Sequence, residues 1–184
     1  MLNYMLKLTL IILVLAPIYF LVRKPWRREK KRELLLMLFW LFNAALLTLA
    51  LEGDYRMPVD MVCDAIRRVV SGDGINIVPF RIIAGFFRNF DADRFLVNII
   101  GNIVMFVPWG FGLVLLWERN RKPLRIAGLS FAITAFIEFC QLFIDRAVDV
   151  DDMILNFTGS MLGALIWYTL RNTKLAGMLA AKER

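Results

Sequence analysis

Three apolar stretches of this chain carry carboxylates, amides and hydroxyls at helical spacing. Ser130, Thr134, Glu138, Gln141 and Asp145 recur at intervals of four, four, three and four residues, and Asp149, Asp152, Asn156, Gly159 and Gly163 at three, four, three and four. Asn98 and Asn102 lie one turn apart, on a face continued by Met105, Phe106 and Trp109. Each set makes one stripe along an α-helix. The chemistry open to them is that of carboxylates with amide neighbours. Glu138 could act as a general base or acid, with Asp149 and Asp152 as ligands for a substrate or a divalent cation. These three are the candidate catalytic groups, and Arg146 is the nearest cation for Glu138. The competing reading is structural: polar side chains inside a membrane lock helices together by interhelical hydrogen bonds. Acids just before a helix can instead cap its free amides, a role that falls here to Asp151.

Other chemistries are excluded by composition. There is no His, which removes imidazole metal sites and His-based triads, and Cys63 and Cys140 match no metal spacing. No phosphate-cradling Gly loop and no Ser with a base partner appears. The formal net charge is +7, but its 23 Lys and Arg are spread between apolar runs, which reads as helix flanks and not as a nucleic-acid surface.

The elements that must position these residues follow from the apolar content. Of 184 residues, 59% are hydrophobic, against roughly 45–50% in a soluble domain. Five stretches approach the length needed to cross a bilayer: Lys7 to Val22, Leu34 to Leu51, Phe95 to Trp117, Ile126 to Ile144 and Met153 to Leu170. The fold class is therefore all-α, a polytopic helical bundle of about five transmembrane helices forming one membrane domain over residues 1–184. Pro108 should break or kink the third span. The run of seven Lys and Arg between Arg23 and Arg32 places that loop in the cytoplasm, and alternation then puts the N-terminus outside and the C-terminus inside. The carboxylates fall in the outer half.

Residues 52 to 94 are too long and too patterned for a free loop. Pro58 to Val70 reads as an interfacial amphipathic helix, with Val59, Val62, Cys63, Ile66, Val69 and Val70 on one face and Asp60, Asp64, Arg67 and Arg68 on the other. After the turn Ser71 to Gly74, Phe80, Ile83, Ala84 and Phe87 suggest a second such piece. Both either simply cap the helix bundle or roof an outer cavity.

Taken together, Asn76-Ile-Val-Pro-Phe80, Asn98-x3-Asn102-x3-Phe106-x-Pro108-x-Gly110, Glu138-x2-Gln141 and Arg146-x2-Asp149-x2-Asp152-x3-Asn156-x2-Gly159-x3-Gly163 resemble the VanZ-like family of bacterial membrane proteins. The resemblance covers residues 76–170 and leaves the first two spans and the outer segment outside its shared pattern. It implies a multi-pass plasma-membrane protein whose namesake is associated with low-level resistance to teicoplanin, a lipid-tailed glycopeptide. Its patterned polar residues carry over to Asn98, Asn102, Glu138, Gln141, Arg146, Asp149, Asp152 and Asn156 as a ligand-binding set. The function expected is non-enzymatic binding of a membrane lipid or amphiphilic antibiotic, without a resident cofactor or nucleic acid. The alternative is an intramembrane enzyme acting on a lipid headgroup.

Overall fold

The computed structural model describes residues 29–53, 56–88, 91–144 and 146–173, with Thr9, Leu13, Ala16, Pro17 and Tyr19 from the preceding segment. Apart from those five positions, the expected first span lies outside the described residues, as do Asp145 and the tail from residue 174. The described elements are α1 (Lys30–Ala50), α2 (Pro58–Ser71), β1 (Ile75–Asn76), α3 (Arg81–Arg88), α4 (Ala92–Phe95), a π-helical turn (Leu96–Ile100), α5 (Gly101–Leu116), a 3-10 turn (Glu118–Arg121), α6 (Pro123–Gln141), β2 (Val148–Asp149) and α7 (Val150–Leu170). Four helices are long and apolar enough to cross a membrane: Lys30–Ala50, Leu96–Leu116, Pro123–Gln141 and Val150–Leu170. They coincide with the last four expected spans, and the chain is an all-α membrane bundle.

The third span is irregular, but not where Pro108 predicts. Pro108 lies inside α5, and the helix runs through it from Gly101 to Leu116. A proline's freed carbonyl is tolerated in an apolar bundle, where packed neighbours hold the helix on both sides. The irregularity falls two to three turns earlier, at Leu96–Ile100. There the Gly101 N–H reaches back five residues to the Leu96 carbonyl, widening the helix around Asn98.

The closest contact in the bundle joins α5 to α7, and small residues make it possible. A Cβ on Gly159 would stand 2.0 Å from the Ile103 carbonyl oxygen, one on Gly163 2.0 Å from that of Val107, and one on Gly110 1.9 Å from that of Ser160. The backbones touch, as a small-xxx-small face allows. Around this seam, Phe106, Val114, Ile126, Ile137, Ala164 and Trp167 form the buried core. On α1 the Phe39 ring lies over Gly112 and meets Trp117 edge-on, 5.6 Å between centroids. The outer surfaces of the spans are apolar: Leu34, Leu38, Phe131, Phe136, Leu165 and Ile166 are all exposed, as lipid contact requires.

Antiparallel succession sorts the ends of the bundle. The 3-10 turn holds one end, where the Arg121 guanidinium stacks over Trp167 and the Arg121 carbonyl accepts from the Tyr168 hydroxyl. Arg119 lies in the turn, Lys122 and Arg125 follow it, and Arg171 at the end of α7 lies over the Tyr168 ring. At the opposite end meet the last turns of α1 and α6, the first turns of α5 and α7, and the segment from α2 to α3. This second end carries the carboxylates.

Helix α2 presents its apolar face outward: Val59, Val62, Ile66, Val69 and Val70 are exposed, while Ala65 and Arg68 are the buried positions. That orientation suits a helix lying in an interface. Arg68 lies on the face opposite these valines, as the pattern assigns it, and there it turns into the bundle and is buried. The reason is a set of carbonyls that only a guanidinium can satisfy together: Nη1 donates to Leu142 at 3.2 Å, Nη2 to Gly74 at 3.1 Å and also to Arg146. Gly72 and Gly74, at φ 77° and 66°, make the turn that brings β1 beneath this arginine.

Candidate functional site

The site begins with a two-residue parallel ladder that the all-α pattern does not predict. Ile75 pairs with Val148 and Asn76 with Asp149. The ladder fixes Asp149 just ahead of α7, and the Asn76 Nδ2 donates to the Asp149 Oδ1 at 2.7 Å. The same oxygen accepts the Asp151 N–H at 2.8 Å, so Asp149 is the N-cap of α7.

This overturns the cap role expected for Asp151. Asp151 is 1% exposed, and its carboxylate instead accepts the N–H groups of Phe80, Ile82 at 2.7 Å and Ile83 at 3.1 Å. It caps α3, seventy residues away in sequence, with its charge at the positive end of that helix. Phe80 adopts φ 63°, unfavourable for a bulky side chain, and its N–H is one of the three held by Asp151. One buried aspartate thus ties the roof to α7.

Between α3, α7 and the π-helical turn lies a cavity of about 320 Å³. Asp149, Asp152, Arg146 and Asn98 supply its polar lining, and Ile82, Ile83, Phe86, Ile99 and Leu155 much of its apolar wall. The inward face of α3 is rotated from the expected one. The half-buried Ile83 and Phe86 line the cavity with the more exposed Ile82, whereas Phe80 and Phe87 are exposed. Asp151 sets this rotation by fixing where the helix starts.

The other polar positions take distinct places. The Asn102 Nδ2 donates to the Asp152 Oδ1 at 2.8 Å, joining α5 to α7. Glu138 is 3% exposed and stands behind the cavity wall, its Oε2 accepting the Asp149 N–H at 2.9 Å. Asp152, Asp149 and Arg146 are its charged neighbours. Asn156, one turn beyond Asp152, is 4% exposed. Glu138, Asp149, Asp152 and Asn102 therefore form one continuous group.

Gln141 faces elsewhere, and Arg146, although it borders the cavity, turns its guanidinium to the end of α1. The Gln141 Nε2 and the Arg146 Nη1 both donate to the Ala50 carbonyl, at 2.9 and 3.1 Å, satisfying the open end of α1. Ser130 serves packing, its hydroxyl 2.6 Å from that of Ser160 in a fully buried pair. Thr134 turns its hydroxyl back to the Phe131 carbonyl at 3.0 Å. Among the described residues, no three His, Cys, Asp or Glu side chains converge closely enough to share a metal ion.

Sequence pattern missed Asn76, Arg68 and Asp151 as organisers of the site. For Asn76 a signal existed, since it opens the Asn-x2-Pro-Phe motif; for Asp151 none did, because its partners are backbone amides.

No curated protein and no solved structure matches the chain. A family model matches residues 34–171, so α1 and the segment leading to β1 belong to the shared pattern instead of lying outside it. The packing agrees with that wider extent, because the Ala50 carbonyl at the end of α1 is held by Gln141 and Arg146. The chain belongs to the VanZ/LLP1 family.

Proposed function

We propose that the chain binds a membrane amphiphile, a lipid or a lipid-tailed glycopeptide of the teicoplanin type, with its polar end in the cavity under α3. The observation that carries this reading is the two-sided lining: carboxylates and an amide on one side, with Arg146 at their border, and Ile82, Ile83, Phe86, Ile99 and Leu155 on the other. About 320 Å³ is near the lower end of the roughly 300–1,000 Å³ range of ligand pockets. It fits a headgroup and the start of a hydrocarbon chain, the tail continuing into the bilayer. The basic turn at the far end of the bundle would face the cytoplasm by the positive-inside rule, so the cavity would open toward the outer leaflet.

The enzymatic alternative draws on Glu138, a buried carboxylate beside Asp149 and Asp152. It requires the headgroup to reach behind the wall that Asp149 forms, and binding is the simpler use of this geometry. The test is photocrosslinking in nanodiscs with a phospholipid carrying a diazirine near its headgroup. Label should concentrate in the peptides containing Ile82 to Phe86 and Ile99, and teicoplanin should compete for it. Ile83→Trp, which fills the cavity, should remove that label. Equal labelling of wild type and Ile83→Trp would overturn the proposal.

A further inference from the structure

The end of the bundle away from the cavity carries charge that the chain itself does not neutralise. Arg119, Lys122, Arg125 and Arg171 are exposed, and none of the four forms an ion pair among the described residues. Glu118, the acid of the 3-10 turn, is taken by the Arg121 Nη1 at 3.1 Å. Tyr168 holds the group together. Its hydroxyl donates to the Arg121 carbonyl and its ring carries the Arg171 guanidinium at 5.7 Å, so the end of α7 and the 3-10 turn present their cations side by side. The start of α6 adds Lys122 and Arg125, joined by a hydrogen bond from the Arg125 N–H to the Lys122 carbonyl at 2.9 Å.

A second observation says what covers these cations. Leu124 lies between Lys122 and Arg125 and is 90% exposed, more than any other described large apolar side chain. An acidic protein or a soluble polyanion would meet the cations and leave Leu124 in water. A phospholipid takes both, its phosphate among the cations and its acyl region against the leucine. The turn joins two helices long and apolar enough to cross a membrane, so both features stand at the depth of a leaflet's headgroups.

We propose that this end of the bundle is a binding surface for anionic phospholipid, with Arg119, Lys122, Arg125 and Arg171 around the headgroup phosphate and Leu124 in the acyl region beneath. The surface is separate from the cavity and does not depend on its occupant. Each cation beside an anionic leaflet contributes roughly fivefold to affinity, so four give a preference well above about tenfold.

The test is energy transfer from the tryptophans of the full chain, in neutral maltoside micelles, to pyrene-tailed phosphatidylglycerol or to phosphatidylcholine with the same tails. The anionic lipid should bind at least about tenfold more tightly, and raising salt from about 0.1 to about 1 M should erase most of that ratio. Combining Arg119→Gln, Lys122→Gln, Arg125→Gln and Arg171→Gln should bring the ratio to within about twofold of one, with phosphatidylcholine binding unchanged. Leu124→Asp, which sets an acid among the cations, should give the same loss by one substitution and serves if the fourfold variant fails to fold. Equal binding of both lipids by wild type would overturn the proposal. A preference that persists in the variants would place the anionic site elsewhere and overturn it too. Displacement of phosphatidylglycerol by equimolar glycerol phosphate or by polyglutamate would show a water-facing anion site in place of a lipid surface, and would also overturn it.

Discussion

At the scale of single residues, the carboxylates divide by what they touch. Asp149 and Asp151 hold backbone amides and build the site, whereas Glu138 and Asp152 each accept one bond and keep capacity in reserve. The amide variants Glu138→Gln and Asp152→Asn preserve shape and the accepting oxygen, so a thermal midpoint within about 3 °C of wild type should accompany weaker headgroup crosslinking. Asp151→Ala should do the opposite first. Freeing three α3 amides should cost about 2 kcal/mol, seen as a lower midpoint and faster protease cleavage between α2 and α3. If Asp151→Ala is as stable as wild type, the α3 cap contributes nothing. Helical spacing predicted that Glu138, Asp149 and Asp152 would approach, because it depends only on a period and on the expense of facing lipid. It could not separate Asp149 from Asp151, since two acids at the start of one helix look alike until the distant amides of Phe80, Ile82 and Ile83 are placed.

At the scale of elements, the α5–α7 seam is the rigid frame and α2 with α3 the attached roof. The apolar spans were legible in full where described, because length and hydropathy suffice. The β1–β2 ladder was not, because two residues carry no period. Nor was the burial of Arg68, whose reward is three carbonyls contributed by other segments. Gly159→Leu and Gly163→Leu should disrupt the fold, because even the first carbon would meet a backbone oxygen at 2.0 Å. Gly159→Ala should lower stability by at least about 2 kcal/mol, measurable as loss of monodisperse protein on heating in detergent. Unchanged behaviour would mean that the helices part there without cost. Arg68→Met keeps the length of the side chain and removes its donors. A loss of about 3 kcal/mol, with α2 and the turn at Gly72 becoming accessible to protease, would show the guanidinium holding the interfacial helix to the bundle.

For the whole molecule, function turns on which side of the membrane receives the cavity. The bundle has two chemically distinct ends: the turn at Arg119 to Arg125 with Arg171, and the carboxylate group with α2 and α3 around it. Lys30, Lys31 and Arg32 begin α1 at the basic end, so three separate basic groups coincide there. The positive-inside bias acts on each independently, and a single orientation satisfies all three. In that orientation the apolar face of α2, with Val59, Val62, Ile66 and Val69 exposed, would lie against the outer headgroups beside the entrance to the cavity. A cysteine at Gly72, an exposed turn position, should react with an impermeant maleimide in intact cells. One at Lys30 should react only after the membrane is opened, both in a background where Cys63 and Cys140 are Ser. The reverse pattern would turn the carboxylates toward the cytoplasm, and the occupant would then have to be a cytoplasmic-leaflet amphiphile instead of one arriving from outside.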